Sequence, residues 1–142
     1  MKIYTYAFIF IFILMYSCSG NKKISNNNNT NLSSDTIRIA NEDIDYEVII
    51  IDGQFTTWFN SNARPRSFYT QSFLEARNRL WVIEYNNRAN FPTMGTEHLY
   101  EMPINYQSTI DYGFEVNYMI FNYLVYFQTV KKQNLGGFPA QL

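Results

Sequence analysis

Histidine occurs once, as His98 in the segment Glu97-His98-Leu99-Tyr100-Glu101. One imidazole rules out a site with two histidine ligands, and any catalytic triad would have to centre on it. A turn of helix would bring His98 to Glu101, but the spacing is not that of HExxH. No metal site and no catalytic residue is expected there. Carboxylates are the other chemistry available: Asp45, Asp52, Glu84, Asp111 and Glu115 are scattered along the chain, and any two brought together across a cleft would suffice for glycoside hydrolysis. Spacing alone brings no two of them together. The chain has neither a Gly-rich phosphate loop nor a nucleophile elbow, and no cofactor is expected.

Charge falls in blocks. Arg64, Arg66, Arg77, Arg79 and Arg88 stand between an acidic block at residues 42–52 and another, Glu97, Glu101, Asp111 and Glu115, at residues 97–115. Pairing with acidic neighbours is the simpler reading, each surface pair contributing about 0–1 kcal/mol. The sharper one is a face for an anionic ligand such as a phosphorylated headgroup. Trp58, Trp81 and the 12 tyrosines could stack on sugar rings, although at helical spacing most of them read as core. With formal net charge −1, no nucleic-acid partner is expected.

Cysteine also occurs once, at Cys18. That excludes an internal disulfide framework. Lys2 and the apolar run at residues 3–16 have the n- and h-regions of a secretory signal, too short to span a bilayer comfortably. The flanking Ser17-Cys18-Ser19-Gly20 resembles the lipobox of bacterial lipoproteins, where signal peptidase II cuts before a cysteine that becomes diacylglyceryl-modified and N-acylated. Ser17 suits the position before the cysteine; Met15 and Tyr16 depart from the usual Leu and small residue, and Leu14 lies one place early. The competing reading, an uncleaved anchor with an ordinary cysteine near its end, makes the position of the lone cysteine a coincidence. Lipidation of Cys18, palmitate included, is the expectation. Each buried methylene contributes about 0.8 kcal/mol, so several acyl chains on one residue make release negligible. Resemblance to the lipoprotein sorting signals of Gram-negative bacteria, in which an Asp after the cysteine marks inner-membrane retention and acidic residues mark surface export, implies from Ser19, Lys22 and Lys23 the outer membrane, facing the periplasm.

The expected organisation is a lipoprotein signal peptide at 1–17, lipidated Cys18 and a flexible linker to 35, a single α+β domain at 36–134, and a loose tail at 135–142. The linker is rich in Asn and Ser, with Asn26 to Asn29 as a homopolymer, and buries too little apolar surface to order itself. The domain begins with alternating TIRIA and YEVIII segments around the insert Asn41-Glu42-Asp43, which predicts a hairpin with the second strand better buried. Asp52 can cap a short helix carrying Phe55, Trp58 and Phe59. A longer helix is predicted at 68–87. Tyr69, Phe73, Ala76, Leu80 and Ile83 form one stripe on it, and Leu74, Trp81 and Tyr85 a second. Residues 103–106 suggest an edge strand.

Residues 111–132, DYGFEVNYMIFNYLVYFQTVKK, are apolar on nearly every side at a period of 3.6, which predicts a buried central helix. Ser108 or Thr109 would cap it, and Gly136 would stop it. Glu115 and Asn122 share one side and would need partners such as tyrosine hydroxyls or Arg77. The fold class is therefore α+β: a small antiparallel sheet, the hairpin plus an edge-strand candidate, packed on two main helices.

The order of motifs, TIRIAN, YEVIIID, FTTWF, NRLWVIEYNNR, INY and IDYGFEVNY, resembles an uncharacterised family of small lipoproteins from the Bacteroidota. It covers roughly residues 36–127. The resemblance implies an envelope lipoprotein and supplies no activity. A membrane-tethered, non-enzymatic binding or assembly component of the cell envelope, with a protein or glycan partner, is the expected role; a carboxylate-based hydrolase acting on cell-wall glycan is the alternative.

Overall fold

The chain between Gly113 and Val130 has almost no polar side to offer water, and in the computed structural model it is the axis about which everything else packs. The structure describes residues 36–41 and 44–142. The signal-peptide, Cys18 and linker expectations, with Glu42 and Asp43 of the hairpin insert, lie outside the described residues. Strands β1 (Thr36–Asn41) and β2 (Tyr46–Ile51) form a two-stranded antiparallel sheet, followed by α1 (Gly53–Asn62), a 3₁₀ turn (Arg66–Phe68), α2 (Gln71–Asn90) and α3 (Gly113–Val130). The fold is α+β.

Helix α3 buries Val116 through Phe121 and Leu124 through Phe127, together with the polar Asn117, Asn122 and Gln128. Each large side chain withdrawn from water in this way contributes about 1.5–3 kcal/mol. Helix α2 covers one side through Trp81 on Phe121 and Tyr85 on Phe127, with ring centroids 5.6 and 5.1 Å apart. Helix α1 covers another through Phe55 on Tyr126 and Phe59 on Tyr118. Among the described residues no helix is long and apolar enough to cross a membrane.

The ends of α3 differ from expectation. Neither Ser108 nor Thr109 caps it: Tyr112 is the N-cap residue without a side-chain cap bond, and Asp111 Oδ1 accepts from the Gly113 amide at 2.9 Å. Gly113 has φ +77°, a conformation glycine takes without strain. At the other end Lys132 (φ +53°), not Gly136, makes the left-handed turn, and the Gln133 amide donates back to the Gln128 carbonyl at 3.0 Å.

In the sheet, Ile37 pairs with Ile50 and Ile39 with Val48, on the face that meets the helices. Burial is the reverse of the expected order. Ile37 and Ile39 of β1 are buried, while Ile49 and Ile51 of β2 are 54% and 76% exposed. With one face covered, strand alternation must send Ile49 and Ile51 outward once Ile50 points in. Residues 103–106 do not add a strand. The Asn86 side chain takes that place on α2, accepting from the Ile104 amide at 2.7 Å and donating to its carbonyl at 2.8 Å.

The tail is docked, not loose. Leu135 is buried, its amide donates to Gln128 Oε1 at 2.9 Å, Trp81 Nε1 donates to the Gly136 carbonyl at 3.1 Å, and Phe138 lies under the Arg77 guanidinium, 3.6 Å from the ring centroid.

Tyr46, Tyr106 and Tyr112 join sheet, loop and α3. Tyr112 lies 4.3 Å from Tyr46 and 4.9 Å from Tyr106, ring centroid to ring centroid, Tyr46 donates to the Asn105 carbonyl, and Tyr106 donates to Asn117 Oδ1 at 2.8 Å. Burial, reinforced by Tyr112, pushes the Tyr46 hydroxyl up to about 12, and burial likewise takes Tyr106 to about 12. Below the ordinary tyrosine value of about 10 these groups are protonated in folded and unfolded chains alike. Above it the unfolded chain loses its protons first, so stability falls as pH rises from about 10 to about 12. The urea midpoint should hold steady up to about pH 10 and then decline, with tyrosinate absorbance lagging behind that of the denatured chain. A midpoint independent of pH across that window would contradict this junction.

Candidate functional site

The groups with chemistry in them are spread over the molecule and spent on the fold. His98 is exposed in a turn, where the neighbouring Glu97 accepts from the Gly95 amide at 2.8 Å. Among the described residues no group of three His, Cys, Asp or Glu could hold a metal ion.

Four of the five candidate carboxylates are tied into the fold, each by a different bond. Asp52 caps α1 through Oδ1, at 2.9 and 3.1 Å from the Gln54 and Phe55 amides, and takes the Tyr126 hydroxyl on Oδ2 at 2.9 Å. Glu84 pairs with Arg88 one turn along α2 at 2.7 Å. Asp111 accepts from Gln71 Nε2 at 2.6 Å and from the Gly113 amide at 2.9 Å. Both oxygens of Glu115 accept from Arg66 Nε, at 2.7 and 2.9 Å. Asp45 makes the hairpin turn at φ +51°. Expected neighbours thus separate. Glu115 reaches Arg66 near the surface and not Arg77, whereas Asn122 is buried and donates to the Tyr118 carbonyl at 2.7 Å.

The arginines do not converge either. Arg66 lies over Tyr118 at 4.7 Å, Arg64 over Phe68 at 5.5 Å, and Arg77 between Phe73 and Phe138. Arg88 joins Glu84, the Tyr100 hydroxyl (2.9 Å) and the Asn134 carbonyl (2.7 Å). The Glu115 hydrogen bond raises Arg66 above its ordinary range, outweighing burial.

Two open grooves mark the surface. One, of about 450 Å³, lies on α1 between Gln54, Thr57, Trp58, Ser61, Asn62 and Tyr126. Thr57, Ser61 and Asn62 turn their donors onto backbone carbonyls of their own helix, and Trp58 packs on Phe55 and Tyr126, an arrangement that presents little to a sugar. Trp81 is buried altogether. The other groove, of about 550 Å³, runs between α2 (Leu80, Ile83, Glu84, Arg88) and the docked tail (Asn134 to Gly137). Neither groove is lined by two carboxylates.

The second groove opens onto the feature that the sequence concealed. Leu74, Asn78, Trp81, Val82 and Tyr85 are the buried residues of α2, so of the two stripes read from the sequence the second faces the core, and Ala76, Leu80 and Ile83 of the first turn outward. Phe73, Leu80 and Ile83 are 37%, 38% and 56% exposed, with Ala76 exposed between them. At 100° per residue Ala76 and Ile83 stand roughly opposite the centre of the buried face. Both stripes are apolar; α3 takes the one carrying Trp81, and of the other it meets Phe73, whose ring lies 5.9 Å from that of Phe121. Asn78, which donates to the Asn117 carbonyl at 2.9 Å, goes with the face carrying Trp81.

A model of a family of unknown function (DUF6146) matches the chain over residues 6–139. No curated protein and no solved structure matches it.

Proposed function

Since the chain belongs to this family of unknown function, we propose that it is a membrane-tethered lipoprotein whose folded part serves as a non-enzymatic binding or assembly component of the bacterial cell envelope. The observation that carries the binding role is the second apolar stripe of α2. Leu80 and Ile83 stand 38% and 56% exposed on a helix whose opposite face already fills the core, and Phe73 lies beside them, 37% exposed with its ring packed on Tyr69 and Phe121; such exposure marks an interaction surface. The engagement of Asp52, Glu84, Asp111 and Glu115 in separate structural bonds weighs in the same direction.

The tether rests on the sequence: a short apolar run, then the lone Cys18 among small residues. The family match covers residues 6–139, so residues 6–16 of this run belong to the sequence the family shares. Within the proposal, the chain is one of the small lipoproteins of the Bacteroidota, anchored in the outer membrane and facing the periplasm, as Ser19 after the cysteine implies.

Metabolic labelling with a clickable palmitate analogue, followed by fractionation, tests the anchor. The full chain should take up label and sediment with membranes, whereas Cys18→Ala should lose essentially all label and move to the soluble fraction. Equal labelling of both would sink the lipoprotein reading. Leu80→Glu should leave labelling unchanged and remove envelope crosslinks formed by the parent chain; crosslinks that survive it would take the binding role away from α2.

A further inference from the structure

Phe73, Ala76, Leu80 and Ile83 follow one another at steps of three, four and three residues, and Asn87 continues the series. That is the a/d spacing of a seam between two helices. Beside Leu80 and Ile83 the seam deepens into the groove of about 550 Å³ whose far wall is the docked tail. Gly137 lets that wall pass close: a Cβ on it would stand 3.3 Å from Leu80 Cδ1. The groove is concave and mostly apolar, the shape that receives a protruding side chain. A flat bilayer face does not enter it.

Charge selects among helical occupants. Arg77, its guanidinium stacked between Phe73 and Phe138, stands on one flank of the seam and Arg79 on the other. Glu84, on the Arg77 side, is already paired with Arg88 at 2.7 Å. Two copies of this chain, laid antiparallel so that Phe73 meets Ile83 and Ala76 meets Leu80, would set Arg79 close to its own symmetry mate. Like charges so placed oppose self-pairing. Acidic residues beside the partner's stripe would meet arginine on both sides.

We propose that the outer face of α2 and the adjoining groove dock an amphipathic helix of a partner protein, with an apolar heptad stripe flanked by Asp or Glu. The proposal deepens the reading of this domain as a binding component and does not depend on the lipid anchor. Four seam residues are few beside the 20–30 residues per side of a standard interface, so the affinity of the isolated helix should be modest.

Two synthetic helical peptides, identical in their leucine heptad stripe and flanked by Glu or by Lys, test it against the purified full chain in detergent by fluorescence anisotropy. The Glu-flanked peptide should bind at least tenfold more tightly, and its advantage should shrink with salt. Leu80→Glu, or Ile83→Glu should the first variant not fold, should weaken it at least tenfold. Arg79→Glu should lower affinity for the Glu-flanked peptide and raise it for the Lys-flanked one. Equal binding of the two peptides, or none, overturns the proposal. So does concentration-dependent dimerisation, or binding to phosphatidylglycerol vesicles, that Leu80→Glu abolishes, since the seam would then belong to a second copy or to lipid. The labelling result for Cys18 is separate from every one of these outcomes.

Discussion

Trp81→Ala is expected to destabilise the domain by about 3–5 kcal/mol, a large part of the ~5–15 kcal/mol that holds a domain together. Trp81 is fully buried on α2. Its ring stacks on Phe121 of α3 at 5.6 Å and 24°, and its indole N–H ties down the tail at the Gly136 carbonyl. Alanine removes the packing, leaves a cavity between the two longest helices and frees the tail. The instructive control is two residues along. Ile83→Ala, at a site 56% exposed, should stay within about 0.5 kcal/mol of the parent. Urea denaturation of the pair reads the rotation of α2 directly. Comparable losses at both positions would mean that the helix is not seated as described.

That comparison also locates what the sequence left undecided. Helix α3 was legible because its composition admits one answer: a segment apolar on nearly every side has to be inside. Asp52 as cap of α1 was legible too, because a carboxylate followed by free amides is a local device. Helix α2 was harder. Its two apolar stripes satisfy the same periodicity, and which one is buried depends on whether Asn78 finds Asn117 across the core, a contact 39 residues away in sequence. The Asn86 clasp on Ile104 was concealed for a similar reason: a side-chain amide stood in for the neighbouring strand that an extended segment suggests. The docked tail depends on Trp81 and Gln128 offering bonds to Gly136 and Leu135, which no local pattern announces. Among the candidate reactive groups, sequence gave the list, and only the fold reveals that Asp52, Glu84, Asp111 and Glu115 each serve a separate structural bond.

Asn117→Ala is expected to cost about 2–4 kcal/mol, because each buried polar group left without a partner costs about 1–3 kcal/mol. Asn117 is fully buried. Its Oδ1 accepts from Asn78 Nδ2 at 3.2 Å and from the Tyr106 hydroxyl at 2.8 Å, and its Nδ2 donates to the Gly113 carbonyl at 2.8 Å. One amide therefore ties α2, the loop after it and the first turn of α3 together. Adding Tyr106→Phe to Asn117→Ala should cost much less than Tyr106→Phe costs the parent, since the hydroxyl stranded by the first change is the group deleted by the second. A double-mutant cycle read from urea midpoints should give a coupling of about 0.5–3 kcal/mol. Simple additivity would mean that the hydroxyl does not rely on Asn117. The same network explains why α2 keeps its apolar outer stripe in water. Turning the helix to bury Leu80 and Ile83 would break the Asn78 bonds to Asn117 and lift Trp81 off Phe121, so the polar pair holds the stripe outward, where a partner helix can reach it.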